Sequence, residues 1–289
     1  MPEASPPLLS PRNDFVFKRI FGDSEHIGPL AAFLQSALGL PAEEFAGLVV
    51  VDPNLNPEYE GDKHCILDVR IHTRSGRDVD VEIQVEPTPE LCDRIQCYTA
   101  RMVAGKVKAG ESYRGMAQSV SIVIVDYRLW EDAGYHHRFR LYDPEAGLAY
   151  PNSMEIHTLE LPKRPAASDG TGLWDWLKFL SSDTRDEFMS LAGKGGAMAE
   201  AVARLMELSA DEKARLRAES REKALWDQAG RIRQSRAEGE AKGRAEGEAK
   251  KQAEIACQML RKKMSVADIA DLTGLSQAEV ERLAAEMAV

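Results

Sequence analysis

Residues 65–86, CILDVRIHTRSGRDVDVEIQVE, hold two runs of apolar/polar alternation around a short polar break. In the first run Cys65, Leu67, Val69 and Ile71 share one face, and Ile66, Asp68, Arg70 and His72 the other. In the second, Val79, Val81, Ile83 and Val85 alternate with Asp78, Asp80, Glu82, Gln84 and Glu86. A period of two with β-branched residues predicts two strands, and Arg74-Ser75-Gly76 predicts a hairpin turn. A three-residue loop with Gly in the left-handed position pairs Thr73 with Arg77 and hence sets Asp68 opposite Glu82. A one-residue slip would send every apolar side chain to the wrong face.

The same reading extends along the chain. Residues 1–12 contain four prolines and read as an unstructured leader. Asn13 is placed to cap a helix carrying Phe17, Ile20 and Phe21, with Asp14 and Lys18 as an i,i+4 pair and Gly22 at its end. A second helix covers 27–38, closed by Gly39, and a short strand covers 48–51. Thr88-Pro89 is expected to start a helix that runs to about residue 108, with Leu91, Ile95, Tyr98 and Met102 as its apolar stripe and Arg94, Arg101, Lys106 and Lys108 on other faces. Residues 119–127, SVSIVIVDY, predict a central strand buried on both faces. Weaker strands follow at 138–142 and 155–161.

Beyond a Pro/Ala/Ser/Gly stretch at 163–172 the pattern turns helical: 173–191, then 197–208 after a glycine break, then a helix capped by Ser209 with Glu212. Residues 236–251 repeat RAEGEAKG as RAEGEAKK; glycines every four residues predict a linker or frayed helix. The tail from Gln252 reads as three short helices with helix-turn-helix spacing around Thr273-Gly274. The expected division is 1–165, 166–230, 231–251 and 252–289.

Composition narrows the function. A chain of 289 residues with 44% hydrophobic residues can bury a sizeable core, and its formal charge of −10 makes it no generic polyanion binder. Residues 1–165 hold 17 basic and 25 acidic side chains. The four cysteines fit no zinc spacing, and the start of the sequence lacks a secretory pattern, which implies reduced thiols in a cytoplasmic protein. No apolar run approaches the roughly 20 residues of a membrane span. In the tail, four basic residues against six acidic ones favour a protein–protein role over DNA reading.

Asp68 and Glu82 on one hairpin face suit a hard divalent cation, with Gln84 beside them and Arg94 and Arg101 on the next helix for phosphate. An acidic face turned to solvent explains the same alternation. The residues Asp68 and Glu82-Ile83-Gln84 match the D…(D/E)-x-(K/Q) pattern of the PD-(D/E)XK nuclease superfamily. With Asn13-Asp14-Phe15, Phe17-Lys18, Phe21-Gly22, Arg94, Tyr98 and Glu160-Leu161-Pro162-Lys163, the chain resembles the Rpn family of recombination-promoting nucleases and transposases. That resemblance implies an α/β, restriction-endonuclease-like mixed sheet flanked by helices and followed by an all-helical C-terminal region. It implies a DNA endonuclease using Mg²⁺ (or Mn²⁺) held by Asp68 and Glu82, with Gln84 in the place of the superfamily lysine. Asp14, Lys18 and Arg94 would support the metal or bind phosphate. DNA is the implied partner, and the C-terminal helices offer a route to a homodimer. Two rivals keep the fold: a catalytically weak or inactive oligomeric interaction module, and a regulator that binds DNA through the tail.

Overall fold

The computed structural model describes residues 7–55, 65–107, 110, 112–151 and 154–287. The described chain forms two compact units, divided between Leu225 and Trp226. The expected leader is described from residue 7 onward, and much of the predicted connection before the hairpin lies outside the described residues.

In chain order the first unit contains α1 (Asp14–Phe21), α2 (Gly28–Leu38), the single turn α3 (Ala42–Phe45), β1 (Val49–Val51), β2 (Asn54–Leu55), β3 (Cys65–Ile66), β4 (Val69–His72), β5 (Asp78–Gln84) and α4 (Leu91–Ala104). Then come β6 (Ser119–Val125), β7 (His136–Phe139), β8 (Tyr142–Asp143), β9 (Leu148–Ala149), β10 (Met154–Glu160), α5 (Gly172–Ser181), α6 (Arg185–Ala192) and α7 (Gly196–Ala210). Helix α8 (Glu212–Arg261) begins in the first unit and continues into the second, where α9 (Val266–Thr273) and α10 (Gln277–Glu286) follow.

Six strands form one mixed sheet in the order β1-β4-β5-β6-β10-β7. The hairpin β4–β5 has the register that the alternation demands: Val69 faces Val81, Arg70 faces Asp80 and Ile71 faces Val79. Its turn closes with Thr73 N–H donating to the Arg77 carbonyl, and Gly76 takes the left-handed φ of 80°. β5 runs parallel to β6, and β6 parallel to β10, so the buried β6 sits at the centre as its apolar run predicts.

The first strand of the hairpin departs from a continuous 65–73. The chain bends at Leu67-Asp68, so β3 pairs with β2 in a separate two-stranded sheet while β4 stays in the main one. The bend also changes where Leu67 goes. Val69 and Ile71 enter the main core, whereas Leu67 joins Leu55 and Met102 of α4.

The main core lies on the face of Val79, Val81, Ile83, Val120, Ile122 and Ile124, and is filled by Phe17, Phe21, Phe33, Trp176, Phe179 and Leu205 from α1, α2, α5 and α7. Phe21 is its hub, with ring centroids at 4.7 Å from Phe17, 5.8 Å from Phe33 and 5.7 Å from Trp176. Residues on both sides of 163–172 thus share one core, and that stretch runs over its surface rather than between two cores. On the opposite face α4 packs Leu91 and Ile95 against Val123 and Val125.

Local chemistry moves several predicted boundaries. Glu90, not Thr88, occupies the N-cap position of α4, because residues 88–90 form a turn in which Leu91 N–H donates to the Thr88 carbonyl. The helix expected over 173–191 splits into α5 and α6 at a capping box between Thr184 and Glu187. Ser209 lies inside α7, donating to the Leu205 carbonyl and accepting from Leu9 N–H; Asp211 instead accepts from the first N–H groups of α8. The glycine repeat is helical within α8, with nothing within 4 Å of the Cβ positions of Gly239, Gly243 and Gly247.

In the second unit the end of α8 with α9 and α10 closes over Ala256, Ile269 and Val280. Gly274 turns the chain at φ 72°, and Ser276 with Glu279 forms the capping box of α10. No described helix is long and apolar enough to cross a membrane.

Asn13 does two jobs. Its Oδ1 accepts from Phe15 and Val16 N–H, and its Nδ2 donates to the Ala218 carbonyl of α8, both at a buried position. Asn13→Ala removes the cap and leaves a buried carbonyl without its donor, so unfolding in urea should show a loss of about 2 kcal/mol.

Candidate active site

The bend at Leu67-Asp68 interrupts the ladder, and two carboxylates take over its hydrogen bonds. Glu82 Oε1 accepts from Asp68 N–H at 3.0 Å, and Asp68 Oδ2 accepts from Ile83 N–H at 3.1 Å. Each acid is therefore held by the backbone beside the other. The acidic face is not solvated: Asp78, Asp80 and Glu82 are at most 7% exposed, on the side of the sheet that α4 covers. The open choice left by the alternation falls to burial.

A cleft of about 190 Å³ opens over this exchange. Asp14, Asp68, Glu82, Gln84 and Arg94 all line it, together with Tyr98. Lys18 reaches in from α1, its Nζ 2.8 Å from Asp68 Oδ1. The six side chains singled out in the sequence are thus brought together by three separate segments: α1, the β4–β5 hairpin and α4. Arg101, one turn beyond Tyr98, is not among the residues that line the cleft.

Gln84 is fixed at both ends. Its Oε1 accepts from Arg94 Nη2 at 2.8 Å, and its Nε2 donates to the Glu86 carbonyl at 2.9 Å. The amide carries no charge, but the guanidinium docked on it brings one to the same place. One N–H of Gln84 and a lone pair of Oε1 remain for a further partner.

Three participants carry no signal in the sequence. Arg221, from the first turns of α8, binds the Asp14 carboxylate through Nε at 3.0 Å and through Nη2. Leu225 of the same helix lines the cleft, as does Arg12, which pairs with Asp126 at 3.1 Å. Arg221 and Leu225 lie some two hundred residues from their neighbours, beyond any local pattern.

Asp80 was legible only as one more acid in the alternation. It is fully buried, and neither carboxylate oxygen has a hydrogen-bond partner among the described residues. Burial first, then the charges of Glu82, Asp68 and Asp78, push its pKa well above the ordinary carboxylate range. Burial and the neighbouring Asp68 charge likewise push Glu82 up to about 8, against the opposing pull of Arg94 and Lys18.

Asp68 and Glu82 offer an all-oxygen donor set, the kind a hard divalent ion prefers. The crowding of buried acids fits such an ion, since added positive charge would relieve the repulsion that raises Glu82. A second acidic cluster, Asp132, His137 and Glu160, has ligand atoms in close reach of one another. There Lys163 Nζ already bridges Asp132 and Glu160 at 3.1 and 2.9 Å. The Glu160-Lys163 pair is thus an internal ion pair.

The sign of the pH effect follows from the raised carboxyl. Between about pH 4.5 and 8 the folded protein keeps a proton on Glu82 that the unfolded chain has released, so stability falls as pH rises through that window. In urea unfolding with chelator present, Glu82→Gln should flatten this decline by up to about 1.4 kcal/mol per pH unit. Asp80 and Asp126, raised in the same direction, contribute to the slope that survives in the variant, and His136, lowered to about 4 by burial, opposes it below about pH 6.5.

Two family models match the chain. The family described as PD-(D/E)XK nuclease family transposase matches residues 11–235. The Rpn/YhgA-like nuclease family C-terminal HTH domain matches residues 249–285. No curated protein matches the chain, and no solved structure does. The first match runs past residue 165 through α5–α7 into α8, the same stretch that completes the core and the cleft.

Proposed function

The chain belongs to the PD-(D/E)XK nuclease family transposases, with the helix-turn-helix tail of the Rpn/YhgA-like nucleases, and from that premise we propose a metal-dependent DNA endonuclease. The observation that carries the reading is the exchange between Asp68 and Glu82 at the floor of a cleft flanked by Lys18 and the Gln84–Arg94 pair. PD-(D/E)XK nucleases generally use divalent metals. Here Asp68 and Glu82 would hold Mg²⁺ (or Mn²⁺), which lowers the pKa of water and offsets charge developing on the phosphate.

The chain's own residues then orient the reaction. In phosphodiester hydrolysis a water oxygen bonds to phosphorus while the bond from phosphorus to the leaving sugar oxygen breaks. The water loses a proton, and the leaving oxygen gains one. Gln84, fixed by Arg94 and the Glu86 carbonyl, presents an amide N–H and a lone pair with which to place water or a phosphate oxygen. Arg94 and Lys18 supply positive charge where the superfamily lysine is replaced by a neutral amide. Asp14, held by Arg221 on one side of the cleft, supports it from α1.

The helix-turn-helix tail would serve as a second contact, to another copy or to DNA. A homodimer through the C-terminal helices would raise the effective concentration of nuclease at one site. The acidic balance of residues 1–165 predicts weak, salt-sensitive binding by the nuclease part alone.

The decisive experiment is metal-dependent nicking of supercoiled plasmid. Asp68→Ala and Glu82→Ala should each lower it by at least about a hundredfold, as loss of a preorganised charge does elsewhere. Lys18→Ala should cost about tenfold, most at low salt, where a lysine–phosphate contact is least screened. Equal background cleavage by wild type and both carboxylate variants would sink the nuclease reading in favour of an inactive interaction module.

A further inference from the structure

A second cavity, of about 260 Å³, lies on the other flank of α4. Leu91, Cys92, Ile95 and Gln96 of α4 line it, whereas Arg94 and Tyr98 line the carboxylate cleft. At 100° per residue, positions 92 and 96 lie roughly opposite 94 and 98, so one helix, about 10 Å wide, separates the two.

The far wall is aromatic. Trp130 and Phe139 have ring centroids 5.2 Å apart, and Ile156 and Met154 complete an apolar floor. Polar groups are few and placed. Trp130 Nε1 donates to Thr158 Oγ1 at 2.9 Å, which leaves the Thr158 hydroxyl proton for another acceptor. Gln96 is exposed at the mouth. At the rim Arg140 pairs with the carboxylate of Glu155 at 2.6 Å. Its side chain is 41% exposed while that of Glu155 is 3% exposed, so the guanidinium is the charge presented at the accessible edge.

A cavity just below the size of drug-like pockets, flat-walled by aromatics and edged by arginine, matches one planar heterocycle attached to a phosphate chain. A paired base cannot reach a concave site, because its edges and faces are already occupied within the duplex. We propose that this cavity receives a single unpaired nucleobase of the DNA strand whose backbone crosses the carboxylate cleft. The proposal rests on the nuclease reading and refines its substrate: DNA with an unpaired position near the cut. Arg140 holds the strand by a phosphate while the base stacks on Trp130 and Phe139.

The test uses the full chain with chelator present, and two oligonucleotides: a fully paired duplex, and the same duplex with one bulged 2-aminopurine. Fluorescence anisotropy reads affinity, and 2-aminopurine emission reads stacking. Wild type should bind the bulged duplex about tenfold more tightly, with quenched emission. Gln96→Trp, which blocks the mouth from an exposed position, and Phe139→Ala, which removes a stacking face, should each abolish the preference. Equal affinity of wild type for both duplexes overturns the proposal, as does a preference that survives both substitutions. A change in oligomeric state for Gln96→Trp with the preference intact would also overturn it, assigning the cavity to a second copy of this chain. Plasmid nicking by wild type is read separately. Nicking without a bulged-base preference removes the cavity's role alone, and a preference without nicking removes the nuclease reading alone.

Discussion

The reciprocal bonds between Asp68 and Glu82 are the constraint on which the rest of the nuclease unit turns. A straight β-strand through 65–73 would have paired residue 68 by backbone alone and sent its side chain onward by alternation. The bend at Leu67-Asp68 breaks that ladder, and two side-chain oxygens replace it. Each carboxylate satisfies a backbone donor that would otherwise be an orphan, so the geometry of the acids is fixed by the folding of the sheet. The bend also frees Leu67 to pack with Met102, which anchors α4 over the acidic face. One local irregularity thus sets the acids, their cover and the helix that carries Arg94.

Burial of those acids explains the distribution of cations. In a low-dielectric setting a carboxylate without compensation is costly, and this face gathers Asp68, Asp78, Asp80 and Glu82 within one hairpin. Arg70 takes Asp78 at 2.7 Å, Lys18 takes Asp68 at 2.8 Å, and Arg94 opposes the rise at Glu82. Asp80 has no hydrogen-bond partner among the described residues, and feels only the charge of Arg70 against its burial. The overall charge of −10 therefore says little about the site, where the local balance between acids and nearby cations decides what enters.

Much of this was legible in the sequence because it is local or periodic. The β4–β5 register follows from two alternating runs and a glycine turn, and α1 from a cap, an apolar stripe and a closing glycine. The motif residues therefore take their positions on the hairpin and on α1 from local pattern alone. What was not legible has a common physical cause. Whether an acidic face is wet or dry depends on what covers it, and α4 covers it through contacts distant in sequence. The split of α5 from α6 turned on a threonine whose capping box competes with helix continuation. Ser209 has the residue type of a cap, but its hydroxyl answers to Leu205 and Leu9, one of them two hundred positions away.

The start of α8 carries this argument one step further. By composition residues 166–230 read as a separate helical region, yet Ala214 and Ala218 are buried, Ala218 receives Asn13, and Arg221 grips Asp14. The cap of the first helix and the wall of the cleft are thereby one assembly, built from the two ends of a unit some two hundred residues long. A unit cut at residue 165 would expose Phe17, Phe21 and Phe33 to water where Trp176, Phe179 and Leu205 now lie. The hairpin supplies the acids, but its rigidity is borrowed from this later helical layer. That is why a motif of three residues becomes a site only in the context of the whole matched stretch.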